Sequence, residues 1–104
     1  MFAVYPKMGY TMKWRVFAAR RTLKVPERMP VKARDSFWRL FAVLRDSGPT
    51  GPRNWRNYGK LKGRVAEYHC HLTSDHRWVA CWRAEAETLV IEIYYLGSHQ
   101  DAPY

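Results

Sequence analysis

Residues 64–84 read R-V-A-E-Y-H-C-H-L-T-S-D-H-R-W-V-A-C-W-R-A. Both ends alternate with a period of two, and the polar run Thr73-Ser74-Asp75-His76 separates them, which is the pattern of an antiparallel hairpin. In the first arm, Arg64–Leu72, one face carries Ala66, Tyr68, Cys70 and Leu72, and the other carries Val65, Glu67, His69 and His71. In the second, Arg77–Ala84, Trp78, Ala80 and Trp82 alternate with Arg77, Val79, Cys81 and Arg83. Glu85–Glu87 turns again, and Thr88–Leu96 is rich in β-branched and aromatic residues, so the hairpin extends into a three-stranded meander.

Upstream, the period changes. Ala33, Phe37, Leu40, Phe41 and Leu44 recur on one face of a helix that begins near Pro30 and stops at Ser47-Gly48-Pro49. Its other face carries Arg34, Asp35, Arg39 and Arg45 and reads as solvated. Before it, Lys13–Ala18 reads as a short strand, and Ala19–Val25 as a brief basic helical turn stopped by Pro26. These elements predict an α+β domain: a small antiparallel, mostly meander sheet with N-terminal helices packed on one face and the other face open. A chain of 104 residues suffices for one such core. The expected division is an N-terminal extension, 1–11, and a single domain, 12–104, with Met12 as an alternative start.

With 47% apolar residues and 15% aromatics, a packed domain is expected rather than a disordered chain. No apolar run approaches the roughly 20 residues needed to span a bilayer, and the first residues lack the plan of a signal peptide. The expectation is a cytoplasmic protein with no membrane partner. Two cysteines are too few for a disulfide scaffold, and Cys70 and Cys81 fall on opposite faces, so free thiols are expected. The net charge of +9 is uneven: residues 1–64 carry sixteen Lys/Arg against three Asp/Glu, and residues 65–104 two against six. A basic half of this kind favours polyanions, nucleic acid above all. Arg53, Trp55, Arg56 and Tyr58 interleave in the Gly/Pro-rich loop 47–60, where cations beside aromatics suit an RNA backbone and a stacked base. Trp55 and Tyr58 equally suit the edge of a core.

Strand alternation puts His69 and His71 on the same face, about 7 Å apart along the strand and opposite the side that packs under the helix. The turn brings Asp75 and Arg77 beside them, His99 follows the last strand, and His76 reads as a solvated bystander. Imidazoles transfer protons near neutrality, and arginine neutralises phosphate. This set therefore meets the needs of RNA cleavage by its own 2′-hydroxyl. Three other readings stand beside it: solvated histidines, a zinc site built on His69 and His71 with His99 or Asp75, and a nucleophilic cysteine.

In order and spacing, K-L-K-G (60–63), Y-H-C-H-L (68–72), H-R-W-V-A-C-W (76–82) and Y-Y-L-G-S-H (94–99) resemble the RelE/ParE superfamily of bacterial type II toxins, from about Met12 to the end of the chain. The resemblance implies a ribosome-dependent endoribonuclease, an mRNA interferase that cuts translated mRNA in the A site without metal or cofactor. It also implies contact with 16S rRNA and a cognate acidic antitoxin. His71 with Asp75, and Gly97-Ser98-His99, are nearer the YafQ branch than RelE itself, which has lysines at the His69 and His71 positions. On this resemblance His71 is the general base, His99 the acid, His69 able to exchange with either, and Arg77 the phosphate clamp, with Asp75 in the catalytic set. Lys60, Lys62, Arg64, Arg53, Arg56, Trp55 and Tyr104 would contact RNA or the ribosome. ParE-like gyrase inhibition and a plain basic RNA-binding module are the alternative functions.

Overall fold

Alternation and helical spacing resolve, over the described residues of the computed structural model, into five strands, one long helix and two 3-10 turns. The structure describes residues 13–104; the expected extension 1–11 and the alternative start at Met12 lie outside the described residues. The strands are β1 (Arg15–Ala18), β2 (Gly59–Lys60), β3 (Glu67–His71), β4 (Trp78–Glu85) and β5 (Val90–Ser98), and the helix is α1 (Val31–Ser47). They form one sheet in the order β1-β5-β4-β3-β2.

β3, β4 and β5 are the expected meander, with Cys70 opposite Ala80 and His71 opposite Val79. β3 and β5 begin later than alternation suggests, because Ala66 (φ 55) and Leu89 (φ 56) hold left-handed backbone that no strand continues through. The expected antiparallel meander forms the body of the sheet, and one parallel pairing at its edge makes the sheet mixed. β1 pairs parallel to β5, with Val16 opposite Ile91 and Ala18 opposite Ile93. Local alternation carries no information about which distant strand an edge strand joins. The basic turn is also two 3-10 segments, Arg20–Thr22 and Val25–Arg28, and Pro26 lies inside the second instead of ending the first, since a first-turn position needs no N–H.

The helix buries Ala33, Phe37, Leu40 and Leu44 against Tyr68, Cys70, Leu72, Ala80, Trp82, Ile91, Ile93 and Leu96. Phe37, Leu40, Leu44 and Trp82 are almost wholly removed from water, and Trp82 keeps its polar end satisfied by donating Nε1–H to the Pro49 carbonyl at 3.1 Å. α1 ends at Gly48, whose φ of 84° and closeness to Trp14 (2.7 Å from a notional Cβ to the indole Nε1) leave no room for a side chain.

A bulge sets the opposite face. Cys81 pairs with Tyr95 but Trp82 pairs with Ile93, so Tyr94 is an extra residue in β5. The slip keeps Ile91, Ile93 and Leu96 under the helix while Tyr94 packs with Leu61, Cys81 and Tyr95 in a second, smaller cluster. Arg21 donates Nε–H to the Tyr94 carbonyl at 3.1 Å, satisfying a group the bulge takes out of the ladder. Among the described residues, no helix is long and apolar enough to cross a membrane.

Candidate active site

The face of the sheet away from α1 carries the histidines, because β3 alternates Tyr68, Cys70 and Leu72 inward. Register then decides their neighbours. His69 lies in a row with Cys81 and Tyr95, and His71 in a row with Val79 and Gly97. Gly97 leaves its end of the row without a side chain, and the Tyr95 hydroxyl fills that space, 2.8 Å from where a Cβ would stand. The Tyr95 hydroxyl in turn donates to the Ser98 carbonyl at 2.7 Å, fixing the end of β5 from which His99 projects.

Three imidazoles meet here. His71 lies 4.9 Å, centroid to centroid and edge-on, from both His99 and His76. Its Nδ1 is 2.7 Å from Nδ1 of His76, so one of the two nitrogens donates and the other accepts. The His99 N–H donates to the Arg77 carbonyl at 2.8 Å, tying the end of β5 to the start of β4. His76 is not the detached bystander that its place in the turn suggested. Its backbone lies in the left-handed region (φ 61), which turns the ring back over the sheet while leaving it exposed. His71 itself is 5% exposed.

Burial, then the neighbouring His99, His76 and His69, hold the His71 pKa below the ordinary histidine value. His69 is lowered first by burial and then by His99. Both rings are therefore neutral at pH 7. His69 sits farther along, its Nδ1 buried without a hydrogen-bond partner and its ring 4.3 Å from that of Tyr104. The chain beyond β5 makes this contact by turning back: Asp101 N–H donates to Ser98 Oγ and Ala102 N–H to the His99 carbonyl. Tyr104 thus lies between His69 and His99, 6.2 Å from the latter.

Arg77 is exposed and lines, with His76, Trp78, Ser98, His99 and Gln100, an open cleft of about 490 Å³. Asp75 does not reach the histidines by any hydrogen bond. Its carboxylate accepts from the Thr73 hydroxyl and the Arg77 N–H, bonds that also lower its pKa, and so it shapes the turn. Arg64 is occupied as well: it donates to Glu67, to the Tyr94 hydroxyl and, at 3.1 Å, to the Pro103 carbonyl, holding the returning chain. Lys60 and Lys62 are exposed and belong to no ion pair among the described residues. Arg53 donates to the Thr50 carbonyl within its own loop. Trp55 packs against the core edge, and the Arg56 carbonyl accepts the His71 N–H at 2.8 Å. The cysteines are free and buried on opposite faces, and burial pushes each thiol up to about 12, far from a thiolate nucleophile. Among the described residues, no three His, Cys, Asp or Glu side chains are arranged to hold a metal ion.

No protein-family model and no curated protein sequence matches the chain. Solved structures do. The chain superposes on the archaeal RelE–RelB complex of Pyrococcus horikoshii with a TM-score of 0.70 and 19% identity, over 88% of this chain and 100% of that one. The fold is that of the RelE toxins. An arginine double mutant of E. coli RelE in the free state matches with a TM-score of 0.67 and 19% identity over 88% of each chain. The same mutant bound to a RelB antitoxin peptide matches at 0.66 and 17%, over 84% of each. On this RelE-like frame, the histidine cluster occupies the sheet face left uncovered by the helix. Alternation located His69 and His71; the part of His76 was hidden in a positive φ that residue type alone does not announce.

Proposed function

We propose that this chain is the toxin of a toxin–antitoxin pair and acts as an endoribonuclease on mRNA in the ribosomal A site. The observation that carries the reading is the meeting of His71 with His76 and His99 beside Arg77, on the open face of a RelE-like fold. The lowered pKa leaves His71 neutral at physiological pH, the state a general base requires. His71 takes the proton from the 2′-hydroxyl as its oxygen attacks the adjacent phosphorus. His99 gives a proton to the departing 5′-oxygen, leaving a 2′,3′-cyclic phosphate and a 5′-hydroxyl. Arg77, exposed in the same cleft, neutralises the phosphate as charge builds on its oxygens. His69 lies close enough to His99 to perturb its own pKa and is the alternative proton carrier. Lys60 and Lys62 add positive charge outside the cleft, and Tyr104 offers a ring face for a base.

One observation favours a second assignment within the same mechanism. His76 is exposed and bonded to the nearly buried His71, so His76 is the base in this alternative and His71 the partner that orients it. A partner of opposite charge suits a chain of +9, and the RelB antitoxin bound in two of the similar structures supports an antitoxin here. Induced expression in bacteria, with growth and mRNA followed together, tests the proposal. Growth arrest with cut mRNA supports it; arrest with intact mRNA and DNA damage would favour gyrase inhibition instead.

A further inference from the structure

On the other side of β3, two adjoining clefts of about 320 and 420 Å³ run between α1 and the 53–56 loop and share Ser36, Arg39, Arg56 and Leu72. The helix face that reads in sequence as merely solvated supplies Arg39 to them, the first turn of α1 adds Lys32, and the loop supplies Arg56. None of these three cations belongs to an ion pair among the described residues, and Asp35 is the one acid in the lining. Arg39 is held in place. It donates to Ser36 Oγ at 3.0 Å, and its guanidinium lies 5.9 Å from the centre of the Trp55 ring, so it is pre-set and not free to sweep solvent.

The groove is joined to the histidine cluster by the backbone. The Arg56 carbonyl accepts the His71 N–H, and Leu72, which follows β3 directly and packs on the same side as Tyr68 and Cys70, lines the groove. Successive side chains of a strand leave on opposite faces. The histidines and the groove therefore sit back to back at the open end of β3. A single strand lying across that end meets imidazoles on one side and three cations on the other.

We propose that this groove binds backbone phosphates of the same RNA strand whose scissile bond lies at the histidines, with Lys32, Arg39 and Arg56 as the contacts. This rests on the RNA reading above and adds to it a second phosphate site, on the helix side of the hairpin. Phosphates are the class of ligand because guanidinium and ammonium groups outside any ion pair among the described residues, in an open polar groove, match dispersed anionic oxygens.

The test is binding of a short 2′-O-methyl RNA, which cannot be cleaved by its own 2′-oxygen, to the full chain over a range of salt. Lys32→Gln, Arg39→Gln and Arg56→Gln each weaken binding and reduce the salt slope by about 0.7 per cation removed. Asp35→Asn tightens binding, a gain that unfolding cannot mimic. If the protein binds the RNA, and the three Gln variants keep its affinity and slope while Asp35→Asn changes nothing, the groove is not a phosphate site, yet the RNA reading stands. If the wild-type chain binds no RNA at all, the groove proposal falls, while the RNA reading is still judged by cleavage on the ribosome.

Discussion

Replacing His71 with alanine separates the chemistry from the fold. The ring is nearly buried, meets His76 and His99 edge-on, and has its Nδ1 fixed by His76. Its removal deletes one hydrogen bond and a packed ring, a loss of about 1–3 kcal/mol against a domain stability on the order of 5–15 kcal/mol. The variant should therefore fold. A general base accounts for about 10²–10⁴ in rate, or about 2.7–5.4 kcal/mol of barrier. Cleavage of translated mRNA by His71→Ala should drop by that factor while circular dichroism and the urea midpoint report a folded domain. His76→Ala, made in parallel, distinguishes the two assignments. If His71 is the base, losing its partner shifts the pH profile and lowers the rate less than His71→Ala does. If His76 is the base, His76→Ala costs the full factor. Wild-type cleavage by a folded His71→Ala protein would refute the role of the cluster.

Other expectations concern the same atoms and the core. His69 and His71 have folded pKa values below that of the unfolded chain, so the unfolded state binds more protons as pH falls; stability present at neutral pH is lost between about pH 7 and pH 5, and urea midpoints should decline over that window and flatten in His71→Gln. By the same sign, cleavage should rise with pH on an acid limb whose midpoint lies below about 6.5, the ordinary histidine value, as seen in single-turnover rates. Phe37→Ala removes a ring buried to 1% exposure between helix and sheet and should cost about 3–5 kcal/mol in urea denaturation. Arg64→Ala releases the Pro103 carbonyl and should loosen Tyr104 from His69, visible as a changed Tyr104 ring environment by NMR with little loss of stability, since the arginine is exposed.

Much of this molecule is written in its periods. Alternation from Tyr68 to Leu72 and from Trp78 to Trp82 specifies which side is buried, and the 4-3-1-3 spacing from Ala33 to Leu44 specifies the face that covers it. What escaped is what alternation cannot encode. The parallel pairing of β1 with β5 is a matter of distant partners, and the extra residue at Tyr94 breaks the period it would be read from. His76 joins the cluster through a left-handed turn, and the exposed Arg39 meets Trp55, which comes from a loop without periodicity. Arg64 and Asp75 carry a task that residue type does not announce: their hydrogen bonds hold the returning chain and the turn.

The central claim is cleavage of translated mRNA by the histidine cluster, and mapping of mRNA 5′ ends after induction reaches it most directly. Codon-phased breaks inside translated frames, with 5′-hydroxyl ends, are expected from the wild-type chain and should vanish in folded His71→Ala and His99→Ala variants. Growth arrest over uncut mRNA, or breaks that persist unchanged in both variants, would contradict it.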